Sequence, residues 1–402
     1  LSPARVNLAL GALFLGAFVV GSAELVVVGI LNLIAADMNV SISTGGTLVT
    51  AYALGISIGG PILTAVSIKF GRRALLWASL TAYVLGNVIA VVAVNFGMLL
   101  FARILTGALH GLFIGVAFAV AAGLVTPDRI GRAISMVFGG IAVSTALGVP
   151  LGTLVGQSFG WQASFIAIII AGGLALAFSL VFIPNVPNTG VGGFTAQAKH
   201  ALAPRVLAVL GLGFLIMGGQ FAALTYLQPF LDTVTGISGA TISIFLLVYG
   251  IANAVGTFLG GAAADRNASR TLVIASIILV GALAVLYFAG SIPFVAALAL
   301  GVWGLVGFGL VPSLQYRVIG LAGPGGDFAA TLPASAVTAG IAAGALIGGW
   351  AVSVSGAAAA VLTGLVICAI AVPAAWATGF LKLPAAAPAA EETEPSSVAA
   401  TS

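Results

Sequence analysis

The chain has 402 residues, of which 61% are hydrophobic and only 5% charged, with a mean hydropathy of +1.25. Soluble domains carry roughly 25% charged residues, so an ordinary water-exposed surface is excluded and a polytopic membrane protein is indicated. The net charge of +4 is scattered over short loops, Cys368 stands alone, and no Cys/His cluster has metal-ligand spacing, so no nucleic acid, disulfide framework, metal or cofactor is expected.

A bilayer crossing needs about 20 mostly apolar residues, and on that measure twelve helices are predicted. The first, over 7–34, runs straight into further apolar segments without a small-residue cleavage site and is read as a span rather than a signal peptide. It carries Glu24 within VVGSAELVVVGI; an ionised carboxylate in hydrocarbon is costly, so such a residue usually serves a function or faces a wet interior. Asp37, beyond its end, is read as a solvated loop residue. The second helix, 45–67, holds Tyr52 and GISIG at 55–59. The latter matches G-x-S-x-G but sits inside a helical run without a strand–turn–helix elbow, so it is read as chance. No H-E-x-x-H or G-x-x-x-x-G-K-[ST] appears either, and no enzyme is expected.

The loop TAVSIKFGRR, 64–73, precedes a third helix over 74–94, where Tyr83 and Asn87 are four apart on one face. The fourth, 97–125, places Arg103 and His110 seven apart on one face, with a Gly107, Gly111, Gly115 stripe suited to close helix approach. Helices five and six are predicted over 132–156 and 161–183. PNVPNTGVGGFTAQAKHALAP, 184–204, is rich in Pro, Gly and polar residues and reads as a linker. The second set falls near 205–228, 240–264, 271–290, 293–316, 328–352 and 358–380, and carries Gln220, Tyr226, Tyr249 with Asn253, and Trp303. The tail, 385–402, is expected to be disordered. The division is thus a helical unit 1–183, a cytoplasmic linker 184–204, a second unit 205–384 and the tail.

Charge orients the chain. With twelve spans both termini share a side, and placing them in the cytoplasm puts Arg5, Lys69, Arg72, Arg73, Arg129, Arg132, Lys199, Arg205, Arg266, Arg270, Arg317 and Lys382 inside. The remaining basic residue, Arg103, lies within a span, and the outer loops hold only Asp37 and Asp232. The halves also echo each other: GAAADRNASR, 261–270, follows the second helix of its half as TAVSIKFGRR does in the first.

These segments resemble the major facilitator superfamily over nearly the whole chain. The family's loop motif is G-x-L-A-D-R-x-G-R-K. The first copy keeps Lys69, Gly71, Arg72 and Arg73, with Ile68 at the Asp place and Thr64 at the Gly place. The second keeps Gly261, Asp265 and Arg266, followed by Arg270; in the family that Asp helps latch the closed transporter. LLFARILTGALHG is similar to the family's R-x-x-Q-G motif, with Arg103, Thr106 and Gly107 in place. STALGVPLGTLVG is similar to the G-x-x-x-G-P-x-x-G-G signature of proton-driven exporters, through Gly148, Pro150 and Gly152. GSAELVVVGILNLIAADMNVS is similar to the first helix of the drug/proton antiporter branch that includes arabinose, other sugar and chloramphenicol exporters. That branch often has Glu at the Glu24 place; Asn32 and Leu33 replace its Pro-Asp pair. The resemblance implies an all-α membrane protein of twelve transmembrane helices in two pseudo-symmetric six-helix bundles.

Glu24 and Arg103 fall at comparable depths, so with the first and fourth helices adjacent, Glu24, Arg103 and His110 are expected to meet. Burial and a guanidinium act in opposite senses on a carboxyl's proton affinity, which suits a proton carrier. A purely structural ion pair, and a packing role for His110, are the alternatives. The substrate cavity is expected among Asn32, Tyr52, Tyr83, Asn87, Gln220, Tyr226, Tyr249, Asn253 and Trp303, for a neutral or cationic amphiphile or a sugar-like molecule. The expected function is export of a small molecule by proton antiport. An uncoupled facilitator or a non-transporting sensor would use the same fold. A monomer in the cell inner membrane, with the lipid bilayer, substrate and proton as its partners, is expected.

Overall fold

The computed structural model describes residues 2–67, 70–126, 129–185, 202–323, 329 and 332–382. Most of the predicted linker, the tail, Lys69 and Lys199 lie outside the described residues, as does the side chain of Arg132. Helix α1 is Pro3–Asp37. Helix α2 runs through Ile42–Leu54, a π-helical turn Gly55–Gly59 and Gly60–Ser67. Then come α3 (Arg72–Val91) and α4 (Phe96–Gly123). Helix α5 comprises Ile130–Val143, a π turn Ser144–Gly148 and Val149–Phe159, and α6 is Trp161–Phe182. Helix α7 combines Pro204–Leu224 and Leu227–Thr233. Helices α8 and α9 are the two limbs of Thr241–Ala289, and α10 combines Pro293–Gly307 with Val311–Ala322. Helices α11 (Leu332–Ser355) and α12 (Ala357–Thr378) complete the bundle.

Among the described residues, eleven continuous helical stretches are long and apolar enough to cross a membrane. The 49 residues of Thr241–Ala289 would span about 73 Å as one rod, more than twice the hydrocarbon thickness. The chain breaks at Asn267 (φ −163°, ψ 93°), giving the predicted twelve crossings. Asn267 caps the new helix by accepting from the Arg270 amide at 2.9 Å, and the Thr271 hydroxyl donates to Ala263 O at 3.1 Å. A bond across eight residues requires a reversal, because a straight helix separates them by about 12 Å. Other starts are capped from sequence: Ser41 accepts from the Thr44 amide and Asn95 from that of Met98.

The two halves repeat at a spacing of 196 or 197 residues. Helix α1 is kinked at Ile30 and α7 is broken at Tyr226. Gly160 between α5 and α6 and Gly356 between α11 and α12 both have positive φ, 92° and 79°, where a side chain would be strained. Within the first half, α5 glycines lie flat against α1: Gly140 on Phe14 and Ala17, Gly152 on Val26, Gly156 on Ile30. Without a hydrophobic force between helices in lipid, such close approach is what gives contact. Gly107 and Gly111 serve α4 in the same way, against Tyr52, Ile56 and Gly60 of α2.

Large apolar side chains cover the outside, among them Val94, Phe258, Phe288, Phe294 and Trp350. Only lipid makes such a surface stable. The halves meet through α2 with α11, α5 with α8, and the ends of α1 and α7, near the end of the molecule opposite the chain termini. There the Thr50 hydroxyl donates to Ala342 O at 3.2 Å and the Tyr226 hydroxyl reaches Ser43 O and Ala345 O.

Candidate functional site

Arg103 is 1% exposed, a cation buried inside a membrane bundle. Its guanidinium lies 4.0 Å over the Tyr52 ring and donates to three backbone carbonyls: Ala23 O at 2.8 Å, Glu24 O at 3.0 Å and Leu48 O at 3.4 Å. It therefore meets Glu24 through the main chain, and the expected carboxylate–guanidinium pair is not the contact made. Helix geometry explains this. Carbonyls point toward a helix's C-terminus and side chains lean toward its N-terminus. Arg103 approaches α1 from its C-terminal side and finds carbonyls, while the Glu24 carboxyl leans the other way.

The carboxyl faces His110, Oε2 to Nδ1 at 3.9 Å, with side-chain exposures of 19% and 7%. Glu24 is 13 residues from the end of α1 and His110 is 14 from the start of α4, so the two lie level. His110 Nδ1 is also 3.0 Å from the Tyr52 hydroxyl, which is 3.0 Å from that of Tyr83 and donates to Val20 O at 3.2 Å. Asn87 donates to Tyr83 O at 2.8 Å. A hydrogen-bonded run thus links Tyr83, Tyr52 and His110, and the Glu24 carboxyl stands beside it, 3.9 Å from His110 Nδ1.

A second polar cluster occupies the other half. Trp303 Nε1 donates to Gln220 Oε1 at 2.9 Å, and Gln220 Nε2 donates to Gly307 O at 3.2 Å. The Tyr249 ring packs edge-on against Trp303, centroids 5.5 Å apart, and Asn253 is buried one turn along. A narrow cleft between the halves is lined by Leu25, Val28, Thr145, Val149, Leu224, Leu246 and Tyr249. Of the residues expected to line a substrate cavity, Tyr249 faces this cleft, while Tyr52, Tyr83, Asn87, Gln220 and Trp303 are engaged in the two clusters. Asn32 and Tyr226 instead tie the halves together. Asn32 donates its amide N–H to Gln228 Oε1 at 2.9 Å and its side chain to Asp232 Oδ2 at 3.1 Å.

Gln157 and Gln228 had no signal in the sequence. The Gln157 side chain donates to Gly29 O at 2.8 Å, so these two amides take up main-chain groups beside the Ile30 kink. Asp37 is exposed, as expected, but it ends α1 rather than lying in a loop, and it accepts from Trp161 Nε1 at 2.8 Å and Gln162 Nε2 at 3.3 Å, joining α1 to α6. Gly148 and Gly152 pack on Ser22 and Val26 of α1, and Pro150 opens the segment after the π turn. In the first loop Gly71 precedes α3, Arg72 donates to Ala119 O at 3.1 Å, and Arg73 lies 4.3 Å over Trp77. Asp265, Arg266 and Arg270 are exposed around the α8–α9 turn. Ser57 of the G-x-S-x-G match lies in the π turn of α2, where no nucleophile elbow exists.

A lipid-facing bundle of two repeated six-helix halves, with ionisable groups buried inside the first of them, is a membrane carrier. A profile of the Major Facilitator Superfamily matches residues 13–330, and the chain belongs to that family; it is a transporter and not an enzyme. It is 36% identical over 346 residues to the uncharacterized MFS-type transporter YtbD of Bacillus subtilis, covering 85% of this chain and 87% of that one. To the inner membrane transport protein YdhP of Escherichia coli it is 33% identical over 353 residues, covering 87% and 90%. A chloramphenicol resistance protein of Streptomyces lividans is 29% identical over 332 residues, covering 81% and 84%. A probable sugar efflux transporter of Helicobacter pylori is 27% identical over 337, covering 83% and 85%. The fold matches the inward-facing, unoccupied crystal structure of a bacterial homologue of the human lysosomal transporter Spinster, with a TM-score of 0.80 at 15% identity, covering 94% and 98%.

Proposed function

We propose that the protein exports a small molecule across the cell inner membrane in exchange for protons, with Glu24 as the proton carrier. The termini lie in the cytoplasm, as the distribution of Lys and Arg favours. The joined end of the bundle then faces outward, and the molecule is closed on that side. Relatives named for chloramphenicol resistance and sugar efflux favour export. The observation that carries proton coupling is the Glu24 carboxyl, 3.9 Å from His110 and still 19% exposed, so that it is held inside the bundle without being sealed. When the bundles rock outward Glu24 loads a proton; when they rock inward it releases it through His110 and the opened pathway. One charge moving down about 100 mV supplies about 2.3 kcal/mol, enough for a concentration ratio of about fifty. The protein works as a monomer, since one chain encloses the whole route.

The test is substrate-driven proton flux in vesicles holding the purified protein, with chloramphenicol as the probe, comparing the parent with Glu24→Gln. The parent is expected to acidify or alkalinise the lumen on substrate addition, and Glu24→Gln to lose that signal while still folding. A Gln variant with full proton flux removes Glu24 from coupling. Export indifferent to an uncoupler makes the protein a facilitator.

A further inference from the structure

The buried Tyr52 hydroxyl has three neighbours: Val20 O at 3.2 Å, the Tyr83 hydroxyl at 3.0 Å and His110 Nδ1 at 3.0 Å. A hydroxyl has one proton to give and two lone pairs with which to receive. Val20 O is a carbonyl and only accepts, so the bond to it takes the Tyr52 proton. The Tyr52 oxygen is then the acceptor in the other two. Tyr83 donates its O–H, and His110 donates from Nδ1. This is the one arrangement in which all three contacts are hydrogen bonds, and it uses the whole capacity of the oxygen. A neutral imidazole has a single N–H, so His110 carries its proton on Nδ1 and its lone pair on Nε2.

That proton decides what Glu24 meets, because its Oε2 lies 3.9 Å from the same Nδ1. A ring nitrogen bearing hydrogen is a partner for a carboxylate, whereas a bare one is a partner for a carboxylic acid. With Tyr52 bonded to it, His110 turns a donor toward Glu24. Tyr52 also stands where the halves meet. Two residues before it, the Thr50 hydroxyl donates to Ala342 O of α11 at 3.2 Å. Three residues after it, the π turn Gly55–Gly59 begins, an irregularity of the kind that recurs at functional sites. The bond that fixes the ring is thus placed beside a contact that closes the outer end.

We propose that Tyr52 is a positioning residue for the proton exchange: it fixes His110 in the Nδ1–H form while the outer end is shut, so that the ring offers Glu24 a donor. The assignment rests on the antiport proposed above and gives His110 its part in the release, as partner to the carboxylate left behind. Loss of the Tyr52 bond frees the ring to take the Nε2–H form. Its bare Nδ1 then suits the protonated carboxyl of the loading state. The same histidine thereby serves both states of Glu24, and Tyr52 selects between them. The second half has no such device: 197 positions on, a glycine, Gly307, stands at the His110 place, and the Tyr249 hydroxyl at the Tyr52 place has no partner.

The test is solid-state magnetic resonance of the full chain in lipid vesicles, grown with isotope-labelled histidine. Nδ1 bonds Cγ and Nε2 bonds Cδ2, so nitrogen–carbon correlations show which nitrogen bears hydrogen. The chain has two histidines, and His200→Gln leaves His110 as the one signal. At about pH 8, above the ordinary histidine range, the parent is expected to show Nδ1–H. Tyr52→Phe keeps its ring beneath the Arg103 guanidinium. It is expected to shift the tautomer ratio toward Nε2–H about three- to tenfold, the worth of one hydrogen bond, and to slow substrate-driven proton flux. Tyr249→Phe is expected to leave the ring in the parent form. An Nε2–H ring in the parent, an unchanged ring in Tyr52→Phe, or a shifted ring with proton flux intact overturns the assignment. The parent spectrum decides the tautomer even where a variant fails to fold. The ring is read without transport, so the two proposals fail separately. Full flux in Glu24→Gln removes the antiport with the Nδ1–H ring still standing, and an Nε2–H parent whose flux needs Glu24 removes this assignment alone.

Discussion

Arg103 shows how one side chain serves several segments. Its three donors reach carbonyls of α1 and α2 while its flat face covers Tyr52. A lysine would keep the charge but supplies no planar fork and no stacking face. Arg103→Lys is therefore expected to lose about 3 kcal/mol, two charge-assisted hydrogen bonds' worth, read as a lower melting temperature in detergent, together with slower exchange. A Lys variant as stable as the parent would show that charge alone matters at this site. The presence of Glu24, Arg103 and His110 in apolar runs was plain in the sequence, because charge in hydrocarbon is conspicuous. Which of them touch was not, because that depends on the direction in which each side chain leaves its helix.

At the scale of the helix, close contact is bought with missing side chains. Gly107 on α4 and Gly304 on α10 bring their helices against the carbonyls of Tyr52 and Tyr249. The obstacle in both is backbone, which cannot rotate away. Gly107→Ala and Gly304→Ala are each expected to destabilise by about 1–3 kcal/mol, the usual cost of overpacking. Gly261→Ala, where nothing lies within 4 Å, is expected to be neutral. Melting curves of the three variants check this; equal losses in all three would remove the packing explanation. The small-residue stripe on α4 was legible in sequence. The α8–α9 reversal was legible as a basic loop, but its device, Asn267 capping a helix that starts within the turn, required the backbone.

Across the whole molecule, the repeat brings equivalent residues into contact. Asn32 and Gln228 are 196 apart, occupy matching places beyond the breaks in α1 and α7, and touch each other. Contacts of this kind form at an axis of symmetry. They help hold one end of the bundle shut, and Asp232 contributes the carboxylate that receives the Asn32 side chain. Asn32→Asp sets a second carboxylate against it, and like charges at that distance repel. The variant is expected to open this end more often. A cysteine at Ser43, near the Tyr226 contact, would then be alkylated several-fold faster from outside, with Cys368 buried and silent. Unchanged labelling would mean that the α2–α11 contacts hold the gate without Asn32.

Composition and apolar run length determined that the protein lives in a bilayer and how many times it crosses, since the cost of placing ionised or unpaired polar groups in hydrocarbon depends on residue type and not on neighbours. The spacing of the halves, too, is written in the chain. What the tertiary structure decided is pairing. It turned an expected Glu24–Arg103 ion pair into a main-chain clamp and a separate Glu24–His110 contact. It placed Asn32 and Tyr226 in hydrogen bonds that join the two halves, and left the buried Tyr249 hydroxyl without a partner. Hydrogen bonds act over about 3 Å and depend on direction, so which groups meet is set by helix rotation and tilt, and those follow only once all twelve helices have packed.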